Sequence, residues 1–214
     1  MFDAYLANWL VLVAVFAAAV VSPGPDFVMS VRNSLLHGRR AGIFTALGFA
    51  LGVLVHASYA VLGIGALIQH SLILFSIIKY AGAGYLIYIG IQALRSQGAS
   101  AAAVEMSLKD GAHMPKSDWS SLRDGFLTNL LNPKATLFFV ALFTQIIDPS
   151  MPLAIKALFG LTCGVMVGLW FSLVAVLMAQ PGVRRRYLAL SAKIDKVLGV
   201  LLIGFGVKVA LSRA

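Results

Sequence analysis

Charged side chains and cysteines are scarce in this chain of 214 residues. Asp, Glu, Lys and Arg together make up 12% of the sequence, whereas 60% is hydrophobic and the mean hydropathy is +0.90. So little polar surface excludes a soluble globular protein. Cys163 is the one cysteine, which rules out an intramolecular disulfide and argues against a cysteine-based metal cluster.

The motifs of several enzyme classes are also missing. The sequence contains no Gly-x-Ser-x-Gly elbow, no His-Glu-x-x-His helix and no Walker-type lysine loop. The four histidines are scattered without the spacing of metal ligands. One of them, His56, lies alone in an apolar run and is read either as a satisfied packing residue or as a proton relay. We therefore expect no enzymatic activity, no catalytic residue, no cofactor or metal site, and no use of ATP by this chain.

Long apolar runs are what the sequence does contain, and a run of about 20 residues is enough to span a bilayer. They predict an all-α, multi-pass membrane protein with about six spans, near residues 6–22, 42–67, 72–94, 124–147, 153–179 and 194–212. The first run is expected to remain as a membrane helix. A cleaved signal peptide would carry Lys or Arg before the run and a polar chain after it, and neither is present.

The polar stretch 96–121 predicts a flexible cytoplasmic linker between two three-helix halves, 1–95 and 122–214, of a single transporter domain. The positive-inside rule places connections rich in Lys and Arg in the cytoplasm, so both termini are expected outside. This topology, and not nucleic acid, accounts for the net charge of +9. The basic residues of the odd-numbered connections are Arg32, Arg39, Arg40, Arg95, Lys109, Lys116, Arg123, Arg184, Arg185, Arg186 and Lys193.

Proline-containing breaks interrupt the first and fourth spans. In Ser22-Pro-Gly-Pro-Asp26, Pro25 has no amide hydrogen and Gly24 offers a positive φ at no steric cost. The counterpart is Asn129-Leu-Leu-Asn-Pro-Lys134, where Pro133 suits the first position of a new helix. A break at membrane depth is tolerated only where it faces protein or a wet cavity. Broken helices of this kind are typical of transporter sites.

The two halves resemble each other, which predicts a repeat. Pro25 matches Pro133, and Gly48 and Gly52 match Gly160 and Gly164, with an offset that grows along the chain as loop insertions would make it. Each half contains an odd number of spans, so the second must enter the membrane the opposite way, as an inverted repeat. The glycine rows allow helices to approach closely, either within one chain or in a homodimer.

The residues expected to bind substrate lie at the two breaks. Helix N-termini after the breaks favour a carboxylate, and Lys134 would do the same. Asp26 would meet an ammonium group or exchange protons, which makes it the candidate for proton coupling. The alternatives are that Asp26 only caps the following helix and that Lys134 snorkels or binds a lipid phosphate. The predicted set is Pro23, Gly24, Pro25, Asp26, Asn129, Asn132, Pro133 and Lys134.

These segments carry a family resemblance. Ser22-Pro-Gly-Pro-Asp26 with the following Gly38-Arg-Arg-Ala-Gly42, and Leu127-Thr-Asn-Leu-Leu-Asn-Pro-Lys-Ala135, resemble the lysine-exporter superfamily, and most closely its homoserine/threonine-efflux branch. The resemblance runs over nearly the whole chain. It implies a bacterial inner-membrane exporter of amino acids or related metabolites, driven by proton exchange, in which Asp26 is the functional acidic residue.

The leading hypothesis is therefore a secondary active exporter of small amino acids or derivatives similar to threonine or homoserine. Proton antiport would drive alternating access between the two inverted halves. The expected partners are an amino-acid substrate, protons and the lipid bilayer, with no nucleic acid. Two alternatives stay open: efflux of a metal cation or other small metabolite, and a non-transporting membrane protein that acts on partner proteins.

Overall fold

The computed structural model describes residues 2–22, 24–70, 72–95, 116–148 and 150–211, and within these ranges the regular structure is entirely helical. In chain order the helices are α1 (Phe2–Val21), α2 (Pro25–His37), α3 (Arg39–His70), α4 (Leu72–Arg95), α5 (Asp118–Leu130), α6 (Pro133–Ile146), α7 (Leu153–Met178) and α8 (Pro181–Leu211). The prediction of an all-α, multi-pass membrane protein is confirmed.

Three helices cross a bilayer by the criteria of length and composition, in the segments Arg39–Gly63, Ser76–Arg95 and Leu153–Met178. Two further candidates are bent pairs, α1 with α2 at an angle of 58° and α5 with α6 at an angle of 59°. Counting each pair as one span gives up to five. The bends lie at the two proline motifs, so the expected breaks in the first and fourth spans are present.

Residues 194–211 of the predicted sixth span, 194–212, lie in α8, which does not meet the same criteria. Three charged residues, Lys193, Asp195 and Lys196, follow one another closely in this helix, and Lys208 lies in its last turn. They lower the hydropathy of any 18-residue window through this region. The sixth span stays a prediction, and so does the inverted relation of the two halves.

Helix α5 begins within the predicted linker, 96–121. Residues 96–115 lie outside the described part of the chain, but α5 already begins at Asp118, before the predicted end at Ser121 and before the predicted span at 124. Ser117 is the reason, because its hydroxyl accepts the Ser120 amide hydrogen and so caps the helix. Hydropathy did not detect this helix start, because the residues around it are polar.

The basic residues of the predicted fifth connection are helical. Arg184, Arg185, Arg186 and Lys193 are helical residues of α8, which begins at Pro181. Proline suits the first position of a helix, and arginine is a good helix former.

In the first connection a single residue, Gly38, separates α2 from α3, with φ of 89°. Only glycine adopts this backbone conformation without strain.

Glycines bring the backbones of α3 and α5 into contact. A Cβ atom at Gly48 would lie 2.1 Å from the Leu122 carbonyl oxygen, and one at Gly125 would lie 2.1 Å from that of Thr45. On another side of α3, Gly160 and Gly164 of α7 face Ala57 and Leu54. The expected close approach of helices at these glycines is confirmed, and it occurs within one chain. It places both breaks against α3.

Candidate functional site

The first break joins α1 to α2. Pro25 is the first residue of α2, and Gly24 precedes it as the N-cap residue in an extended conformation, with φ of −158° and ψ of −166°. The positive φ expected at Gly24 is therefore wrong, because the chain turns here with extended backbone that any residue can adopt. Pro23 lies outside the described residues.

The second break follows the expected pattern of a helix start. Pro133 begins α6, and the side-chain oxygen of Asn132 accepts the backbone amide hydrogen of Lys134 over 3.0 Å. Asparagine is among the best N-cap residues, since this bond satisfies an amide that has no partner within the helix. The prediction that Pro133 opens a helix is confirmed.

The two breaks meet through the Asp26 carboxylate. Asn129 Nδ2 donates to one carboxylate oxygen over 2.7 Å, and Asn132 Nδ2 donates to the other over 3.2 Å. Both amides are buried, whereas Asp26 is partly exposed. Bonds of this kind to an ionised acceptor are shorter and stronger than neutral ones. Asp26 thus bridges to the opposite break, and the N-cap position of α2 belongs to Gly24.

Lys134 brings a positive charge to the same place. Its ammonium nitrogen lies 3.7 Å from the position that a Cβ atom would take on Gly24. It lines the same cavity as Asp26, and no ion pair within 4.0 Å joins it to Asp26 or Asp195 in the described part of the chain. The cavity at the break is therefore lined by a carboxylate and an ammonium group, the pair that the two ends of a zwitterion would need.

His56 supports the second break from α3. Its Nε2 atom donates to the backbone carbonyl of Asn129 over 3.0 Å, and its Nδ1 atom is hydrogen-bonded to the Tyr59 hydroxyl. The ring also stacks on Phe139, with centroids 5.7 Å apart. The same carbonyl also accepts the Asn132 amide hydrogen over 3.0 Å, so His56 adds a second hydrogen bond at the end of α5. These contacts are those of a satisfied packing residue.

A cavity adjoins the break, with an empty volume of about 520 Å³ when its open mouth is counted. Five polar side chains line it: Ser22, Asp26, Asn129, Asn132 and Lys134. The larger apolar residues of its wall are Phe16, Val20, Phe27, Val53, Phe138, Phe139, Val167 and Phe171. Ligand sites commonly combine a few polar groups with an apolar wall in this way.

Comparison with known proteins identifies the family of this chain. The sequence profile described as LysE type translocator matches residues 17–213, a range that includes both breaks. The chain belongs to the LysE translocator family. It is a transporter, and it is a membrane protein.

The alignments with several named relatives cover most of this LysE-family chain. The threonine efflux protein of Escherichia coli strain K12 is 34% identical over 214 residues, covering 97% of this chain and all of the relative. The homoserine/homoserine lactone efflux protein of Salmonella typhimurium is 33% identical over 144 residues, covering 67% of this chain and 66% of the relative. The uncharacterized membrane protein YrhP of Bacillus subtilis is 30% identical over 95% of this chain and 98% of the relative. No solved structure matches.

The sequence analysis missed one residue at the site of this translocator. Asp195 of α8 is 3% exposed, accepts a long hydrogen bond of 3.5 Å from the Ser22 hydroxyl, and lies within electrostatic reach of Lys134. Close by, the Tyr187 hydroxyl donates to the Val21 carbonyl over 3.3 Å. In the sequence Asp195 lies between Lys193 and Lys196, so no signal separated it from the basic residues of the fifth connection.

A metal site does not form among the described residues, where no three His, Cys, Asp or Glu side chains come together. Of the predicted set, Gly24, Pro25, Asp26, Asn129, Asn132 and Lys134 all line the same cavity. Pro133 is exposed and shapes the break through its backbone. The translocator thus brings together six of the eight residues selected from sequence.

Proposed function

We propose that this chain is a secondary active exporter of small amino acids or their derivatives, of the threonine and homoserine type, in a bacterial inner membrane. The observation that carries the proposal is the Asp26 carboxylate, held by Asn129 and Asn132 of the opposite break and placed beside Lys134. The names of two relatives, a threonine efflux protein and a homoserine/homoserine lactone efflux protein, support the class of cargo.

The zwitterion binds at the break. Its ammonium group meets the Asp26 carboxylate, and its carboxylate meets Lys134 and the amide groups at the start of α2 and α6. Asn129 and Asn132 donate to Asp26 without neutralising its charge, and a charge at membrane depth is costly, so a neutralising partner is favoured when no cargo is bound. A proton fills that role, and exchange of cargo for a proton at one carboxylate gives antiport.

Transport proceeds by alternating access between two inverted three-helix halves, with the site at their interface and both termini on the outer side. The breaks come from different halves and bond to each other at Asp26, so a movement of one half against the other changes the site directly. Modest affinity allows the cargo to leave once the site faces the outside.

Counterflow in reconstituted vesicles tests the proposal. Vesicles that contain the purified protein and are preloaded with unlabelled threonine or homoserine should accumulate the labelled amino acid, and a pH gradient should accelerate the exchange. Protein-free vesicles provide the control. Absence of transport for every amino acid of a broad panel, with and without a gradient, would defeat the proposal.

A further inference from the structure

Asp195 is a buried carboxylate for which the proposed transport cycle has no role. It lies in α8, is 3% exposed, and accepts a hydrogen bond from the Ser22 hydroxyl over 3.5 Å. The bond is long, but its direction is determined, because a carboxylate only accepts and the hydroxyl must donate. Asp195 therefore draws the hydrogen of Ser22 toward α8.

A second contact from α8 holds the same end of α1. The Tyr187 hydroxyl donates to the Val21 carbonyl over 3.3 Å, and the Tyr187 ring stacks on Phe27 of α2 with centroids 5.0 Å apart. Tyr187 and Asp195 are eight residues apart, a spacing that keeps both within one broad face of a helix. Ser22 thus follows a segment of α1 that α8 holds in place.

Ser22 also lines the cavity that Asp26 and Lys134 line. It is two residues before Gly24, where a Cβ atom would lie 3.7 Å from the Lys134 ammonium nitrogen. A serine hydroxyl has one hydrogen and two acceptor lone pairs, and the hydrogen of Ser22 is directed to Asp195. Its remaining capacity is that of an acceptor, so the group in the cavity that complements Ser22 is a hydrogen-bond donor.

The side chain of the cargo is the source of that donor. In the proposed function the ammonium group of the zwitterion meets Asp26 and its carboxylate meets Lys134, so neither end is left for Ser22. A side-chain hydroxyl group has a hydrogen to donate, whereas a methyl group of similar size has none. A side-chain carboxylate is also without a hydrogen, and it would be repelled by Asp195.

The other polar groups of the cavity fit this role less well. Asn129 Oδ1 has no hydrogen-bond partner among the described residues, but it is 2.6 Å from where a Cβ atom of Gly52 would be, so it lies against α3. Asn132 Oδ1 already accepts the Lys134 amide hydrogen. The Lys134 ammonium group has hydrogens to donate and no acceptor. Ser22 is therefore the acceptor best placed for a cargo hydroxyl.

We propose that Ser22 accepts a hydrogen bond from the side-chain hydroxyl of the cargo and that Asp195 orients Ser22 for this role. Ser22 would thereby set a preference for hydroxylated amino acids, such as threonine, over apolar amino acids of the same shape, such as valine. The inference rests on the proposed function, since it assumes that a zwitterion binds at the break. In this arrangement Ser22 determines specificity and Asp195 is a positioning residue.

Threonine and valine make the test direct, because a hydroxyl group in one replaces a methyl group in the other. In vesicles with the purified protein, counterflow of labelled threonine is measured against increasing unlabelled threonine or valine. Half-inhibition by threonine is expected at a concentration roughly 3 to 10 times lower than that for valine, the effect of one hydrogen bond. Ser22→Ala should bring the two concentrations to within about twofold of each other.

Ser34→Ala is the matched control. Ser34 is a buried serine of α2 whose hydroxyl donates to the Ala175 carbonyl, and it does not line the cavity. This variant should keep the threonine preference of the unchanged protein. If Ser22→Ala yields too little protein, Ser22→Cys retains the shape of the side chain and replaces its oxygen with a weakly accepting sulfur, so it should lose the preference as well.

Asp195→Asn tests the positioning role. An amide can donate to the Ser22 oxygen as well as accept from it, so the hydroxyl no longer has one favoured direction. The preference for threonine should fall to a value between those of the unchanged protein and Ser22→Ala. A preference that stayed the same in Asp195→Asn would overturn the role given to Asp195.

The ratio of the two half-inhibition concentrations does not depend on how much protein folds. Equal inhibition by threonine and valine in the unchanged protein would overturn the inference and leave the proposed function intact. The same holds for a threonine preference that survives in the Ser22 variants, or that is lost equally in Ser34→Ala. No counterflow of any amino acid would overturn both the inference and the proposed function.

Discussion

Asp26 is the residue on which proton coupling is expected to depend. The Asp26→Asn substitution keeps the shape of the side chain but removes its charge and one of its two acceptors, so one of the asparagine amides loses its partner. We expect transport by Asp26→Asn to lose its acceleration by a pH gradient, while protein abundance changes less. The measurement is the rate of threonine counterflow between pH 5 and pH 8.

Asp118→Asn is the matched control for this prediction. The Asp118 carboxyl is exposed at the start of α5, where it accepts two hydrogen bonds from the Arg40 guanidinium, and it does not line the cavity. Exposed ion pairs of this type contribute little to stability. Its pH profile should match that of the unchanged protein. An Asp26→Asn protein that also kept this profile would assign Asp26 to structure alone.

At the scale of single residues, the sequence indicated most of the site but not its connections. Proline and glycine in an apolar run identify a break, and a charged residue beside it identifies a costly group at membrane depth, which is how Asp26 and Lys134 were found. That Asn129 and Asn132 both donate to Asp26 depends on contacts across more than a hundred residues. Local patterns contain no information on such pairs.

The contact between α3 and α5 leaves no room for a side chain at Gly48. The Cβ atom introduced by Gly48→Ala would meet the Leu122 carbonyl oxygen at 2.1 Å and the Phe126 backbone nitrogen at 2.6 Å. Backbone atoms in a packed helix cannot rotate away, so the helices must separate. We expect Gly48→Ala to lower the free energy of unfolding by about 1–3 kcal/mol or more, measured by thermal unfolding in detergent.

Gly63→Ala provides a control on the same helix. A Cβ atom at Gly63 has no neighbour within 4 Å, and alanine favours helix more than glycine does by about 1 kcal/mol. This variant should be as stable as the unchanged protein or slightly more stable. If both substitutions had the same effect, tight packing of α3 against α5 would not explain the row of glycines.

At the scale of helices, the sequence predicted which segments are helical better than where they end. The apolar runs located every span candidate that the structure describes, because burial in lipid requires long apolar helices. The starts of α5 and α8 were missed because polar and basic residues also form helices when Ser117 or Pro181 supplies a favourable first turn. Hydropathy detects the part of a helix within the bilayer and not its extension beyond it.

The predicted orientation of the whole molecule in the membrane can be tested by a labelling experiment. Arg39 at the start of α3 is predicted on the cytoplasmic side and Ser150, between α6 and α7, on the outer side, and both are exposed. In a Cys163→Ala background, Ser150→Cys should react with a membrane-impermeant maleimide in intact cells. Arg39→Cys should react only after permeabilisation. The opposite result would invert the topology and reverse the direction assigned to transport.

The bridge between the two breaks also bears on how the protein is made. Asp26 and Asn129 are 103 residues apart, so the carboxylate is synthesised about 5 to 20 s before its first amide donor is synthesised. Through that interval the nascent first half holds an acidic group for which the polypeptide has not yet supplied Asn129 or Asn132. Membrane insertion of this chain is therefore completed late, when the arrival of α5 and α6 gives Asp26 its two donors, and a fragment ending in the linker should be a substrate for quality-control proteolysis.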